Sequence, residues 1–306
     1  MRLWILGFIM DRSARGRRPA AKGIQGGRHP AARVAGLLAR SRSSVVGGAL
    51  LVAIGLLALL APAISPYDPI KTNQRAPLAP PSTTHPMGTD RFGRDILARI
   101  LWGGRLSLSV GVVAVGIAAC AGVTLGLASG YYGRRVDIAI MRFVDLLLAF
   151  PGILLALAII ATLGSSLGNL MIAVGIAAIP EYVRITRGAV LSLMEQEFVL
   201  AARVVGCRDH AIIFRHILPN VTAPLIVLAT LGIAGAIITG SALSFLGLGV
   251  RPPAPEWGNM LAEGREFLQH AWWVAFFPGL AIMLAVFSIN LLGDGLRDAL
   301  DPRLRA

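Results

Sequence analysis

Long stretches without charge dominate the chain. Acidic and basic side chains are missing over residues 43–67, 106–133, 146–180, 216–250 and 267–293, which are 25, 28, 35, 35 and 27 residues long. About 20 apolar residues let a helix cross the ~30 Å hydrocarbon core of a bilayer, so all five qualify. The third stretch holds a cluster of turn formers, Leu163-Gly164-Ser165-Ser166-Leu167-Gly168-Asn169, and therefore divides into two helices. The first of these starts near Val136, with Asp137, Arg142 and Asp145 at headgroup level, and the second starts near Gly168. In the fourth stretch Pro219 and Pro224 lie close together, which predicts an entry segment followed by a helix over about 225–246. The pattern predicts six membrane helices.

Composition supports this and removes other classes. Of 306 residues, 55% are hydrophobic and only 15% charged, against roughly 25% charged in soluble domains. So apolar a chain is not disordered over most of its length. A net charge of +13 would suggest nucleic acid in a soluble protein, but here the basic residues lie between apolar runs and point to a membrane surface instead. Six spans place both termini on one side. That side collects 21 of the 29 basic residues and the other side eight, so the termini are expected in the cytoplasm. The apolar segment 3–10 is short and is followed, not preceded, by Arg12, Arg15, Arg17 and Arg18, which argues against a cleaved signal. Cys120 and Cys207 are too few and too far apart to form a disulfide framework or a metal cluster.

Two loops exceed simple turns. The loop at 65–105 is proline-rich (Pro66, Pro69, Pro77, Pro80, Pro81), which favours extended backbone. From Asp95 it turns helical, with Ile96, Leu97, Ile100 and Leu101 on one face and Arg94, Asp95 and Arg99 elsewhere. This predicts a short interfacial helix, serving either as a structural elbow or as a docking surface for an external partner. The loop at 184–216 predicts a helix over 195–205, with Phe198, Ala201, Ala202 and Val205 on one face and Glu195, Val199 and Arg203 on another. Gly206 ends it, Asp209 caps a second short helix, and Leu218 before Pro219 is biased out of helix. The small Ala201/Ala202 pair suits insertion into a partner's cleft. An amphipathic helix lying on lipid fits the pattern equally.

The residues Glu197-Phe198-Val199-Leu200-Ala201-Ala202-Arg203-Val204-Val205-Gly206, followed by Ile213-Phe214-Arg215-His216-Ile217-Leu218-Pro219-Asn220, resemble the EAA loop of binding-protein-dependent ABC importer permeases. His85-Pro86-Met87-Gly88-Thr89-Asp90 with Gly93-Arg94-Asp95 looks like the C-type subunit of the dipeptide, oligopeptide and nickel branch. So do Gly130-Tyr131-Tyr132-Gly133 with Val136-Asp137, Ser244-Phe245-Leu246-Gly247-Leu248-Gly249, and the closing stretch Asn290-Leu291-Leu292-Gly293-Asp294-Gly295. The likeness covers about residue 44 to the C-terminus. It implies an all-α membrane protein with six transmembrane helices in the type I ABC importer permease fold. The expected parts are a basic cytoplasmic tail over 1–43 without fixed structure, and a first helix with external loop and interfacial helix over 44–104. A five-helix core over 105–294 with its coupling loop at 184–220 follows, and then a cytoplasmic tail over 295–306. The resemblance further implies a B-type permease subunit, two ATP-binding subunits and an external solute-binding protein, with Glu197, Leu200, Ala201, Ala202, Arg203, Gly206 and Pro219 in the loop that docks on the ATPase. One departure stands out: the glutamate that names the loop corresponds to Leu200, so either Glu195 or Glu197 substitutes or the contact is more apolar here.

The chain carries no engine of its own. Lys22 and Lys71 are its only lysines and neither lies in a P-loop; no cofactor or metal motif is present, so ATP hydrolysis is expected from partners. Charged residues at membrane depth are candidate functional groups. Arg142 and Asp145 are spaced to pair on one helix, as are Glu181 and Arg184 at the cytoplasmic end of the fourth span, either as structural pairs or as contacts to transported peptide. Pro151 and Pro180 are expected to kink their helices, and Gly122, Gly126 and Gly130 form a small-residue stripe suited to tight helix packing. Dipeptides, longer peptides, glutathione and nickel chelates all remain open as substrates. A secondary carrier or channel is the reading of a different class.

Overall fold

The computed structural model describes residues 41–300; the apolar segment 3–10, residues 1–40 of the basic tail and residues 301–306 lie outside the described residues. The described chain is helical, without β-strands. In order come α1 (Arg42–Leu59), α2 (Ile96–Tyr132), α3 (Arg134–Leu148), α4 (Gly152–Leu163), α5 (Leu167–Met194), α6 (Glu197–Val204), α7 (Leu218–Phe245), α8 (Trp257–Gly264) and α9 (Trp273–Leu300). Five helical runs are long and apolar enough to cross a membrane: α1, α2, α5, α9 and Asp209–Phe245, which contains α7. α3 and α4 pass the same test together but are bent by 88°, which brings the count to six. The bend falls at Pro151, whose extended backbone (φ −54°, ψ 133°) caps α4 and whose ring disfavours helix at Phe150.

The glycine stripe sets the centre of the bundle. α2 packs along α5, and a β-carbon at Gly122 would lie 2.4 Å from Cβ of Tyr182; at Gly126, 2.5 Å from Cβ of Thr186; at Gly130, 2.7 Å from Cβ of Val190. Three glycines one turn apart thus meet three larger residues one turn apart, and the two backbones come close enough for dense contact. Around this seam Val110, Ala114 and Ala118 of α2 pack with Leu170 and Val174 of α5, Ile160 of α4 and Leu243 of α7. α1 lies against α9, where Gly47 meets Leu291.

Several expectations change. The helix after Asp95 is no separate interfacial piece: α2 runs unbroken for 37 residues, so a boundary at 104/105 cuts a continuous helix. Gly103 and Gly104 do not break it because Trp257 packs against both. Arg94, Asp95 and Arg99, expected off the apolar face, are buried. Arg94 Nε donates to Asp90 Oδ2 at 2.6 Å and its Nη2 to Glu263 Oε2 at 2.8 Å, while Arg99 Nη2 reaches Glu263 Oε2 at 3.3 Å. Two arginines meet two acids, which offsets the cost of burying each charge. The entry segment at 216–225 is helical instead. Leu218 has φ −52° and ψ −45°, and a π-helical turn (Ile212–Ile217) leads directly into α7, with Pro219 in its first turn. α5 passes through Pro180 to Met194, so Glu181 lies near the middle of that helix. α9 likewise runs on to Leu300, through the start of the tail expected from 295.

The seam gives a direct test. Gly126→Leu forces a side chain into Thr186 and the carbonyl of Val183 and is expected to destabilise the protein by about 3 kcal/mol or more. Gly116→Leu, where a β-carbon meets nothing within 4 Å, is expected to leave the thermal midpoint in detergent nearly unchanged.

Candidate functional site: the α6 loop

α6 is one short helix fastened to the bundle along one face. Val199 is fully buried and Ala202 half-buried, three residues apart and so on the same side. They join a cluster formed by Leu127 and Tyr131 of α2, Val190 of α5, Ile212, Ile213 and Ile217 of the π-helical turn, and Val221 of α7. Fully burying such an aliphatic side chain contributes roughly 1.5–3 kcal/mol. The opposite face is bare: Val204 is 87% and Val205 82% exposed, Leu200 47%, and Glu197 and Ala201 are also exposed. The Ala201/Ala202 pair expected on one face is therefore split, Ala201 outward and Ala202 inward.

Polar contacts fix the loop's orientation. The Arg203 guanidinium lies over the Tyr131 ring, 5.3 Å from its centroid, and the Tyr131 hydroxyl donates to Asp209 Oδ1 at 2.7 Å. One aromatic ring at the end of α2 thus holds both limbs of the loop. Asp209, expected as a helix cap, makes no side-chain cap, because its carboxylate accepts from Tyr131 instead. Gly206 ends α6 as its type predicts. Its φ of +83° lets its amide donate to the Arg203 carbonyl and the Cys207 amide to the Ala202 carbonyl, both at 3.0 Å, which is the Schellman pattern. Pro219 is exposed in the first turn of α7.

The membrane-depth charges pair differently from their spacing. Asp145 of α3 bonds Arg184 of α5 at 2.9 Å, not Arg142, which is exposed and makes no ion pair among the described residues. Asp137 takes Arg187 through two bonds of 2.5 and 2.7 Å and also accepts from Ser129. Two aspartates of α3 thus answer two arginines of α5, and Glu181 is left without an ion pair. Its spacing suggested Arg184, which Asp145 of α3 takes instead. At the far end of the bundle, Glu256 ties α8 to α2: it accepts from Ser107 at 3.1 Å and from the amides of Gly258 and Asn259 at 3.0 and 2.9 Å. Nothing in the local pattern around Glu256 or Glu263 announced these long-range partners.

Six apolar helical segments around a glycine-packed seam, with one small helix held off the end of the bundle, define a polytopic membrane transport component. The chain belongs to the family described as binding-protein-dependent transport system inner membrane component, which matches residues 122–306. A second match, to the N-terminal TM domain of oligopeptide transport permease C, covers residues 30–81. The chain is 49% identical over 269 residues to the dipeptide transport system permease protein DppC of Alkalihalophilus pseudofirmus, covering 88% of each chain. It is 46% identical to the di/tripeptide transport system permease protein DppC of Pseudomonas aeruginosa (87% of this chain, 90% of the relative) and 48% identical to the dipeptide transport system permease protein DppC of Escherichia coli (87% and 91%). In fold it is similar to a chain of the inward-facing MetNI methionine ABC transporter, with a TM-score of 0.53 at 18% identity, over 66% of this chain and 96% of that one.

The Gly206 turn can be tested by itself. Gly206→Val places a β-branched residue at a positive φ, a strain of about 1–2 kcal/mol. Amide exchange over residues 197–211 is expected to quicken by about tenfold, while exchange in α2 and α5 stays unchanged.

Proposed function

We propose that the chain is the C-type permease subunit of an ATP-driven importer of di- and oligopeptides, with both termini and the α6 loop in the cytoplasm. It works beside a B-type permease subunit, two ATP-binding subunits and an external solute-binding protein. The observation that carries this reading is the bare apolar face of α6: Leu200, Val204 and Val205 stand in solvent while Val199 and Ala202 anchor the helix. A face of that kind suits a cleft on a partner better than a lipid surface, because its anchored side already faces the bundle. The excess of basic residues on the α6 side supports a cytoplasmic position. With Leu200 outward in place of the usual glutamate, the contact to the ATP-binding subunit is apolar at its centre, and exposed Glu197 supplies charge at its edge. The names of the relatives favour peptides over nickel chelates or glutathione.

ATP-driven closure of the partners would draw the α6 loops together, and the tie through Tyr131 would pass that movement to α2. Val204→Asp is expected to reduce co-purification of the ATP-binding subunits at least tenfold, since it buries an unpaired charge in the contact, with no change in thermal midpoint. Liposomes holding the chain and its B-type partner alone are expected to take up no peptide; uptake without ATP-binding subunits would refute the importer reading.

A further inference from the structure

A cleft of about 370 Å³ opens between α4, α5 and α7, within the size range of small-ligand sites. Its walls are small or aliphatic: Val115, Ala177, Ala178 and Ala236, with Gly232 and Gly235 leaving α7 flat. Three polar side chains line it, those of Glu181, Tyr182 and Thr239. Glu181 is exposed to the cleft and makes no ion pair among the described residues, because both nearby arginines of α5 are taken by Asp145 and Asp137.

A lone carboxylate on a membrane-spanning helix is costly unless a cation meets it. From this cleft, and resting on the peptide reading above, we infer that Glu181 forms a passage site for the substrate's α-ammonium group. Every linear peptide with a free amino end carries that group whatever its side chains, and its N–H donors suit the two oxygens of a carboxylate. The apolar walls then meet the rest of the peptide without reading its sequence, so the site is selective for the amino end and tolerant of side chains. The bond is charge-assisted and hence stronger than a neutral one.

The test uses the complete transporter in liposomes with its binding protein, ATP and radiolabelled Ala-Ala. Glu181→Gln is expected to lower uptake about tenfold, because the amide oxygen still accepts but no longer carries the charge that strengthens the bond. The charge itself is tested by Glu181→Cys in a parent carrying Cys120→Ala and Cys207→Ala, since both native cysteines are exposed. An anionic methanethiosulfonate reagent is expected to restore uptake at least fivefold, and a cationic one of similar size to restore none; the parent treated alike sets the background. Uptake by Glu181→Gln equal to wild type, or equal response to the two reagents, overturns the site while leaving the peptide reading intact. A wild-type complex that takes up no dipeptide overturns both. If Glu181→Gln fails to assemble, the charge-rescue pair decides the matter, because reagent sign does not alter a packing defect.

Discussion

The close approach of α2 and α5 is the constraint on which the rest of the structure depends. A membrane helix pair gains little from hydrophobicity, since lipid is as apolar as the side chains, and holds together through packing and hydrogen bonds. Gly122, Gly126 and Gly130 remove the side chains that would keep the two axes apart. Once α5 is seated, its arginines fall within reach of α3, its Tyr182 enters the central core, and its last turn supplies Val190 to the cluster beneath α6. Widening this seam would loosen the ion pairs and the α6 anchor together.

The charged residues divide into two kinds of work. Asp90, Arg94 and Arg99 are buried, and with the partly buried Glu263 they pair two acids with two arginines, which fixes one end of the bundle. Breaking such a set by removing one member costs more than the set itself contributes, about 3–5 kcal/mol. Arg184 and Arg187 are paired by aspartates of α3. Glu181 belongs to neither group, and its isolation depends on where its neighbours' partners come from.

Much of this architecture was legible in the chain. Apolar runs reveal spans because their length is set by the bilayer, and the glycine stripe and the Gly206 stop can be read because each depends on residues within a few turns. Pairing across the bundle was not legible. Asp145 could be matched by spacing only to Arg142, three residues away, and its true partner is 39 residues on. The interfacial helix was misread because Arg94 and Arg99 look like surface residues until Glu263, more than 160 positions later, is in place. Pro219 and Pro224 read as breakers, yet the π-helical turn before them re-spaces the backbone so that the helix continues. On α6, periodicity found a helix but assigned its faces wrongly, since the inward side is chosen by the pocket of Ile212, Ile213 and Ile217.

The unbroken course of α2 has a mechanical consequence. Tyr131, which grips both limbs of the α6 loop, and Arg99, locked to Asp90 and Glu263, belong to the same continuous helix. At 1.5 Å per residue they stand about 48 Å apart. A rod of that length with both ends clamped cannot absorb a tug at one end by local bending. It must tilt or turn as a whole, like a lever pivoting on its glycine seam, so a small displacement at the loop reappears as a sweep at the opposite rim.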